Sequence, residues 1–328
     1  MLSSIEEPKN CTFDDIVTRS ACLLAAKGLA CEAAPRDGGI LVVGEPGTEK
    51  EIIASAVHAL SERSGMPMVE LDCANLPAML MERAMFGRLG GPAPHPMLLN
   101  CGEGTLFLQE VGALPLTAQS RIMTAIQAGK LVLGSGEEID FNCRIIASTS
   151  EDLVPFVEDK KFRADLYAAL AQTVIFIPPL RHRKEDIPLL VHRLMKEFGR
   201  ELRKPLNNIS DEAVQGLAHY RWPGNVRELK AVIGRAAALA KGETILMQHL
   251  PRAVQRARKY KHAGADEEGP LSLAVIEKRH IQRVLDYTGW HKVRSAQILG
   301  IDRSTLYDKI KRYNLVNPAD RLFQTARL

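Results

Sequence analysis

Long apolar runs are absent from this sequence: no stretch approaches the roughly 18 residues that span a membrane, so no membrane partner is expected. The N-terminus, Met1-Leu2-Ser3-Ser4-Ile5-Glu6-Glu7, lacks the basic-then-apolar order of a secretory signal, and a cytoplasmic location is expected. Cysteine is sparse. The six thiols, Cys11, Cys22, Cys31, Cys73, Cys101 and Cys143, include no C-x-x-C pair, and none follows residue 143, which argues against a disulfide framework and against a zinc site. Reduced, mostly buried thiols are expected, with no set of metal ligands. Aromatic residues make up 5% of the 328 residues against 46% hydrophobic residues, a balance suited to a soluble α-rich or α/β protein of two or three domains. No internal repeat is present.

The formal net charge of +4 is unevenly spread. From Leu271 onward there are 11 Lys or Arg against 5 Asp or Glu, whereas the first 270 residues carry 32 against 34. The excess belongs to the C-terminal segment, and a basic terminal module is what an anionic partner, most often nucleic acid and here expected to be double-stranded DNA, requires.

The run Gly44-Glu45-Pro46-Gly47-Thr48-Glu49-Lys50-Glu51 departs from a phosphate-binding loop at one place, Glu49, which stands where the second glycine belongs. Such loops work because glycines bring backbone N–H groups close to phosphates while a lysine neutralises them. Gly44, Gly47, Thr48, Lys50 and Glu51 are the candidate nucleotide contacts. The Glu49 carboxylate weakens nucleotide binding without excluding it, so ATP or ADP is an expected but loosely held cofactor. Around the loop the context fits: Ile40-Leu41-Val42-Val43 reads as a buried strand, and Ile53, Val57 and Leu60 mark one face of a following helix. Further strands are expected at residues 68–71, 105–108, 144–147 and 173–177, separated by helices such as one over 117–128. That alternation argues for a parallel sheet covered by helices. After Pro178-Pro179 the strand signal stops and a helical bundle is expected, with Asn225 and Glu228 forming a capping box at the start of one helix.

Residues 271–315 read as a helix-turn-helix. Ala296 is the small residue where two helices cross, Gly300 lies in the turn and Leu306 anchors the second helix. The second helix, over 303–313, carries Arg303, Ser304, Thr305, Tyr307, Lys309, Lys311 and Arg312, and the first carries Lys292 and Arg294. Arg303, Ser304 and Thr305 are the candidates for reading base edges, and the flanking cations for contacting phosphates. An apolar helix over 273–288 offers a dimerisation surface.

Several strings resemble one family, the sigma-54-dependent enhancer-binding transcription activators of the AAA+ class. They are Phe86-Gly87, Gly104-Thr105-Leu106-Phe107-Leu108, Phe162-Arg163-Ala164-Asp165-Leu166-Tyr167, Pro178-Pro179-Leu180-Arg181, Arg183-Lys184-Glu185-Asp186-Ile187 and Trp222-Pro223-Gly224-Asn225-Val226-Arg227-Glu228-Leu229, with a Fis-type helix-turn-helix at the end. The resemblance implies an AAA+ α/β sheet with a helical lid, followed by an all-α DNA-binding domain. The expected layout is an N-terminal helical segment without a receiver domain (1–34), an α/β subdomain (35–180), a lid (181–250), a linker (251–270), the helix-turn-helix (271–315) and a tail (316–328).

By the same resemblance, Gln109-Glu110 replaces the Asp-Glu pair that holds Mg²⁺ and orients the attacking water, leaving Glu110 as a residual catalytic base and making Mg²⁺ a doubtful ligand. Asp72 and Ser150 stand at positions of two asparagines. Arg163 matches one of two arginine fingers while the second falls at Ala169, and Arg227 matches a nucleotide-sensing arginine. The loop that engages sigma-54 in the family reads Gly91-Pro92-Ala93-Pro94-His95-Pro96, stiffened by three prolines. These losses fall on one cycle. They point to a homo-oligomeric DNA-binding regulator with impaired ATP hydrolysis and a doubtful sigma-54 contact, acting as a repressor or through RNA polymerase with another sigma factor. The alternative is an ATP-hydrolysing sigma-54-dependent activator with variant motifs.

Overall fold

The computed structural model describes residues 13, 16–87, 96–257 and 273–315. The chain divides into two compact units, Met1–Ile177 and Pro178–Leu328. The first runs α1 (Ala21–Ala33), β1 (Ile40–Val43), α2 (Lys50–Ala59), β2 (Met68–Asp72), α3 (Ala78–Phe86), β3 (Thr105–Gln109), α4 (Leu116–Ala128), β4 (Lys130–Val132), β5 (Glu138–Asp140), β6 (Arg144–Thr149), α5 (Leu153–Glu158), α6 (Ala164–Leu170) and β7 (Thr173–Phe176). Five strands form a parallel sheet in the order β2-β3-β6-β1-β7.

The aliphatic runs form buried strands because both faces of the sheet are covered. Ile40 and Val42 point into a core with Phe107, Ile146 and residues of α1 and α2, while Leu41 and Val43 point into the opposite core with Leu106, Leu108 and residues of α3 and α4. α1 is bound into this unit rather than standing apart from it. The buried Arg144 guanidinium donates to Ala33 O at 2.7 Å and Ala34 O at 2.6 Å, binding the C-terminal end of α1 to the start of β6. The antiparallel pair β4–β5, which the apolar pattern does not announce, is short and polar and turns through Gly136 at φ +87°.

The second unit begins with α7 (Ile187–Glu201), β8 (Asn208–Ile209), α8 (Asp211–His219), α9 (Asn225–Leu239), β9 (Thr244–Ile245) and α10 (Arg252–Ala257). Trp222, Leu229 and Ile233 centre its core, which extends to Val254 and so into the segment expected as linker. Two details differ from expectation. β8 and β9 make a two-residue parallel pair where only helix was expected. The capping box is half present: Glu228 Oε2 accepts from Gly224 N at 2.9 Å, but Gly224 is the N-cap residue, and Asn225, at φ +53°, accepts instead from Leu180 N at 2.8 Å.

α11 (Leu273–Tyr287), α12 (Lys292–Leu299) and α13 (Arg303–Arg312) pack around Ile281, Leu285, Trp290, Ala296 and Leu306. Of the five described cysteines only Cys73 and Cys101 are buried; Cys22 and Cys143 are half-buried and Cys31 is exposed, so burial is not general among them.

Candidate functional site

Because β6 lies between β1 and β3, the segments that follow Val43, Gln109 and Thr149 meet at one edge of the sheet. Lys50 opens α2 there and is 5% exposed. Its ammonium donates to Gly44 O at 2.9 Å, to Ser150 Oγ at 3.0 Å and to Glu45 O at 3.4 Å, and lies 2.9 Å from Glu110 Oε1. Ser150 closes the ring, donating from Oγ to Glu110 Oε1 at 2.6 Å and from its backbone N to Oε2 at 2.8 Å. Burial on its own raises the Glu110 carboxyl; the Lys50 ammonium and the Ser150 donors outweigh it and hold the group below the usual carboxylate range.

The loop keeps the backbone of a phosphate cradle. Gly47 has φ +75°, and a Cβ on Gly44 would come within 2.9 Å of Thr48 Oγ1. Thr48 is buried and donates from Oγ1 to Glu45 O at 2.7 Å, and Glu51 lies half-buried in the first turn of α2. Glu49 caps α2 at φ +69°, ψ +44°, a left-handed geometry that glycine adopts freely and glutamate does not. The position wants glycine for its shape as well as for its lack of charge. Glu110 is also left-handed, at φ +50°.

These residues fit a phosphate group: left-handed corners, the first-turn N–H groups of a ten-residue helix and a buried ammonium converge on one place. They do not fit a divalent cation. Gln109 Nε2 donates to Glu70 Oε2 at 3.0 Å, while the Asp72 carboxylate accepts from Ala74 N at 2.9 Å and Asn75 Nδ2 at 2.7 Å. Glu110 is committed to Lys50 and Ser150, and among the described residues no group of three or more acidic, His or Cys side chains is placed to hold a metal.

Arg163 lies apart from this cluster and pairs with Asp165 within its own chain, Nη2 to Oδ2 at 2.6 Å and Nε to Oδ1 at 3.0 Å. Ala169 is half-buried on α6, and Arg227 is exposed in the first turn of α9. Residues 91–95 of the proline-bearing loop lie outside the described residues.

In the C-terminal domain, Gly300 ends α12 at φ +64°, where its N–H and that of Ile301 reach back to carbonyls of the last turn of α12, so that α13 starts at an angle to it. Ala296 and Leu306 are buried between the helices. An open cleft lined by Gln297, Gly300, Ile301, Asp302 and Thr305 separates them on the solvent side. The sequence candidates divide by face. Ser304, Lys311 and Arg312 are exposed, Thr305 lines the cleft, and the Arg303 guanidinium stands 5.5 Å from the Tyr307 ring centre. Lys309 turns back to α11, its Nζ 2.6 Å from Glu277 Oε1, and Tyr313 hydrogen-bonds the same carboxylate. The Tyr307 hydroxyl is buried with no hydrogen-bond partner among the described residues. Lys292 and Arg294 are half-buried on α12.

A five-stranded parallel sheet with a phosphate cradle at the topological centre, a helical subdomain and a terminal helix-turn-helix define an AAA+ type regulator. Comparisons agree along the chain. A family described as the sigma-54 interaction domain matches residues 16–176, the AAA+ ATPase lid domain matches 181–267, and the Fis family of bacterial regulatory proteins matches 272–313. The chain is 36% identical to the alginate biosynthesis transcriptional regulatory protein AlgB of Pseudomonas putida, covering 95% of the chain and 69% of AlgB. It is 37% identical to the transcriptional regulatory protein ZraR of Klebsiella oxytoca, covering 85% of the chain and 64% of ZraR. NtrX from Brucella abortus, solved in complex with ADP, superposes with a TM-score of 0.69 at 27% identity, covering 92% of this chain and 70% of NtrX. The chain belongs to the family of transcription regulators built from a sigma-54 interaction domain, an AAA+ lid and a Fis-type helix-turn-helix.

Proposed function

We propose that this protein is a sequence-specific DNA-binding transcription regulator whose AAA+ body serves as a scaffold for oligomerisation and holds ATP or ADP without turning it over efficiently. The observation that carries the reading is the Lys50–Glu110–Ser150 ring beside a Gln109 whose amide is spent on Glu70. A nucleotide phosphate must draw Lys50 away from Glu110. No carboxylate at position 109 then anchors a metal beside it. Arg303, Ser304 and Thr305 read bases in the major groove of double-stranded DNA, with Lys311 and Arg312 on phosphates. Regulation is by repression or through RNA polymerase carrying a sigma factor other than sigma-54.

The test combines turnover and dependence. Purified protein is expected to hydrolyse ATP at background rate, and reporter output from its target promoters to be unchanged when sigma-54 is deleted. Strict dependence on sigma-54 for activation sinks the proposal.

A second reading, a working ATPase that activates sigma-54 promoters through a variant loop, is favoured by the contact between Lys50 and Glu110, which keeps the cradle and the residual base in register. Turnover comparable to that of an intact relative selects it. NtrX has been solved with ADP and with ATP. For the present chain, labelled-nucleotide titration of wild type and Lys50→Ala separates a nucleotide-holding scaffold from an empty one.

A further inference from the structure

The first turn of a recognition helix is the part that meets base edges, and Arg303 is the first residue of α13. Tyr307 follows one turn later. Side chains on a helix lean toward its N-terminus, so a ring at position i+4 lies back over the residue at position i. The Arg303 guanidinium accordingly stands over the Tyr307 ring, 5.5 Å from its centre, within the range in which the negative face of an aromatic ring holds a cation. Arg303 is half-buried there, whereas its neighbours Asp302 and Ser304 are exposed.

The polar tip of Tyr307 has no such partner. Its hydroxyl is buried and makes no hydrogen bond among the described residues. A hydroxyl in that state costs stability, and phenylalanine would fill the same space without the cost. Buried as it is, the hydroxyl is also out of reach of a phosphate or a base.

We propose that Tyr307 touches no DNA and is the positioning residue of the base-reading site, its ring face holding the Arg303 guanidinium ready for the major groove. The inference rests on the reading of Arg303 as a base contact. Tyr307 thereby leaves the set of direct contacts in which its place on α13 puts it. An arginine that reads a base must align two N–H groups with one acceptor pair, such as O6 and N7 of guanine, and gives up rotamer freedom to do so. Stacking on Tyr307 makes that loss before DNA arrives. A phosphate accepts from many directions and gains little from a fixed guanidinium. The ring therefore acts on sequence preference and leaves general affinity for DNA alone.

The test is a double-mutant cycle on the full chain. The quantity read is the ratio of affinity for a duplex enriched from a random-sequence pool with wild-type protein to affinity for a scrambled duplex of the same composition. Tyr307→Phe keeps the ring and removes the unpaired hydroxyl, and is expected to keep the ratio and to melt no lower than wild type. Tyr307→Leu keeps apolar bulk and helix propensity without an aromatic face. It is expected to lower the ratio about three- to tenfold, to leave affinity for the scrambled duplex and its salt slope unchanged, and to add nothing in an Arg303→Ala background. Thermal melting of each variant verifies that it is folded. A full ratio in Tyr307→Leu, with Arg303→Ala losing it, overturns the proposal and leaves the reading of Arg303 standing; a full ratio in Arg303→Ala removes both. Loss of the ratio in Tyr307→Phe makes the hydroxyl a DNA contact, and equal loss on both duplexes in Tyr307→Leu gives the ring a phosphate-binding or folding role; either result overturns the proposal.

Discussion

Two residues concentrate the conformational and electrostatic tension of the phosphate cradle. Glu49 holds a left-handed backbone that costs a non-glycine residue about 1–2 kcal/mol, partly offset by the about 0.5–1 kcal/mol of chain entropy that glycine loses on folding. Glu49→Gly is therefore expected to leave stability unchanged or raise it by up to about 1 kcal/mol in urea unfolding. The same change removes a carboxylate from the neighbourhood of a bound phosphate. At about 6 Å and an effective dielectric near 20 the Coulomb ceiling is about 3 kcal/mol per unit charge. Half-exposure of Glu49 reduces it, and a nucleotide affinity gain of about tenfold, or about 1.4 kcal/mol, is expected in titration with labelled ADP. Unchanged affinity would mean that the side chain is turned wholly to solvent. Glu110 sets the acid behaviour. Its folded carboxyl lies below the usual range, so it stabilises the fold above the unfolded carboxylate value, about pH 4.3, and that contribution is lost as pH falls through the folded value. Glu110→Gln leaves Lys50 buried without its counter-charge, so the variant should melt lower than wild type at pH 7. The gap should narrow as the pH falls below about 4.3, the unfolded carboxylate value, and the Glu110 carboxylate is progressively protonated. A gap that stays constant over that range removes Glu110 from the acid limb.

At the scale of elements, α13 separates two jobs that its composition runs together. Eight polar side chains crowd one short helix, and nothing in the order of the residues says that Lys309, with Tyr313 just past the helix end, turns inward to Glu277 while Lys311 and Arg312 face solvent. Lys309→Ala is thus expected to lower domain stability more than it alters the salt dependence of DNA binding. Arg312→Ala should reduce the slope of log affinity against log salt by about 1 and weaken all sequences alike, whereas Arg303→Ala should lose the ratio of specific to non-specific affinity. Retention of that ratio in Arg303→Ala displaces α13 as the reading helix. The boundaries of α12 and α13 were legible because Gly300 supplies the left-handed turn and Ala296 the close approach. The β4–β5 hairpin was not, because Glu138-Ile139-Asp140 has one apolar residue and no run. Asn225 misled for a related reason. A cap is a local pattern, but its side chain serves Leu180, 45 residues away in sequence.

At the scale of the whole molecule, the parallel sheet was readable from its all-apolar strands, since burial on both faces leaves no polar alternation to confuse the period. Strand order is another matter. Only that order places Ser150, 100 residues from Lys50 and 40 from Glu110, in contact with both. Read as a position in the chain, Ser150 is a shorter side chain where the resemblance implies an asparagine. Read in the fold, it is the group that fixes Glu110 on Lys50.

Arg144 carries one more consequence. With its guanidinium in the core and its acceptors on the last turn of α1, the sheet owes part of its interior to a helix that lies before the first strand. Cutting the chain at Gly38, where the glycine pair invites a boundary, would leave a buried permanent cation at the start of β6 with its two carbonyl acceptors gone. A fragment meant to fold around the phosphate cradle therefore has to include α1, because this helix before the first strand forms a wall of the domain.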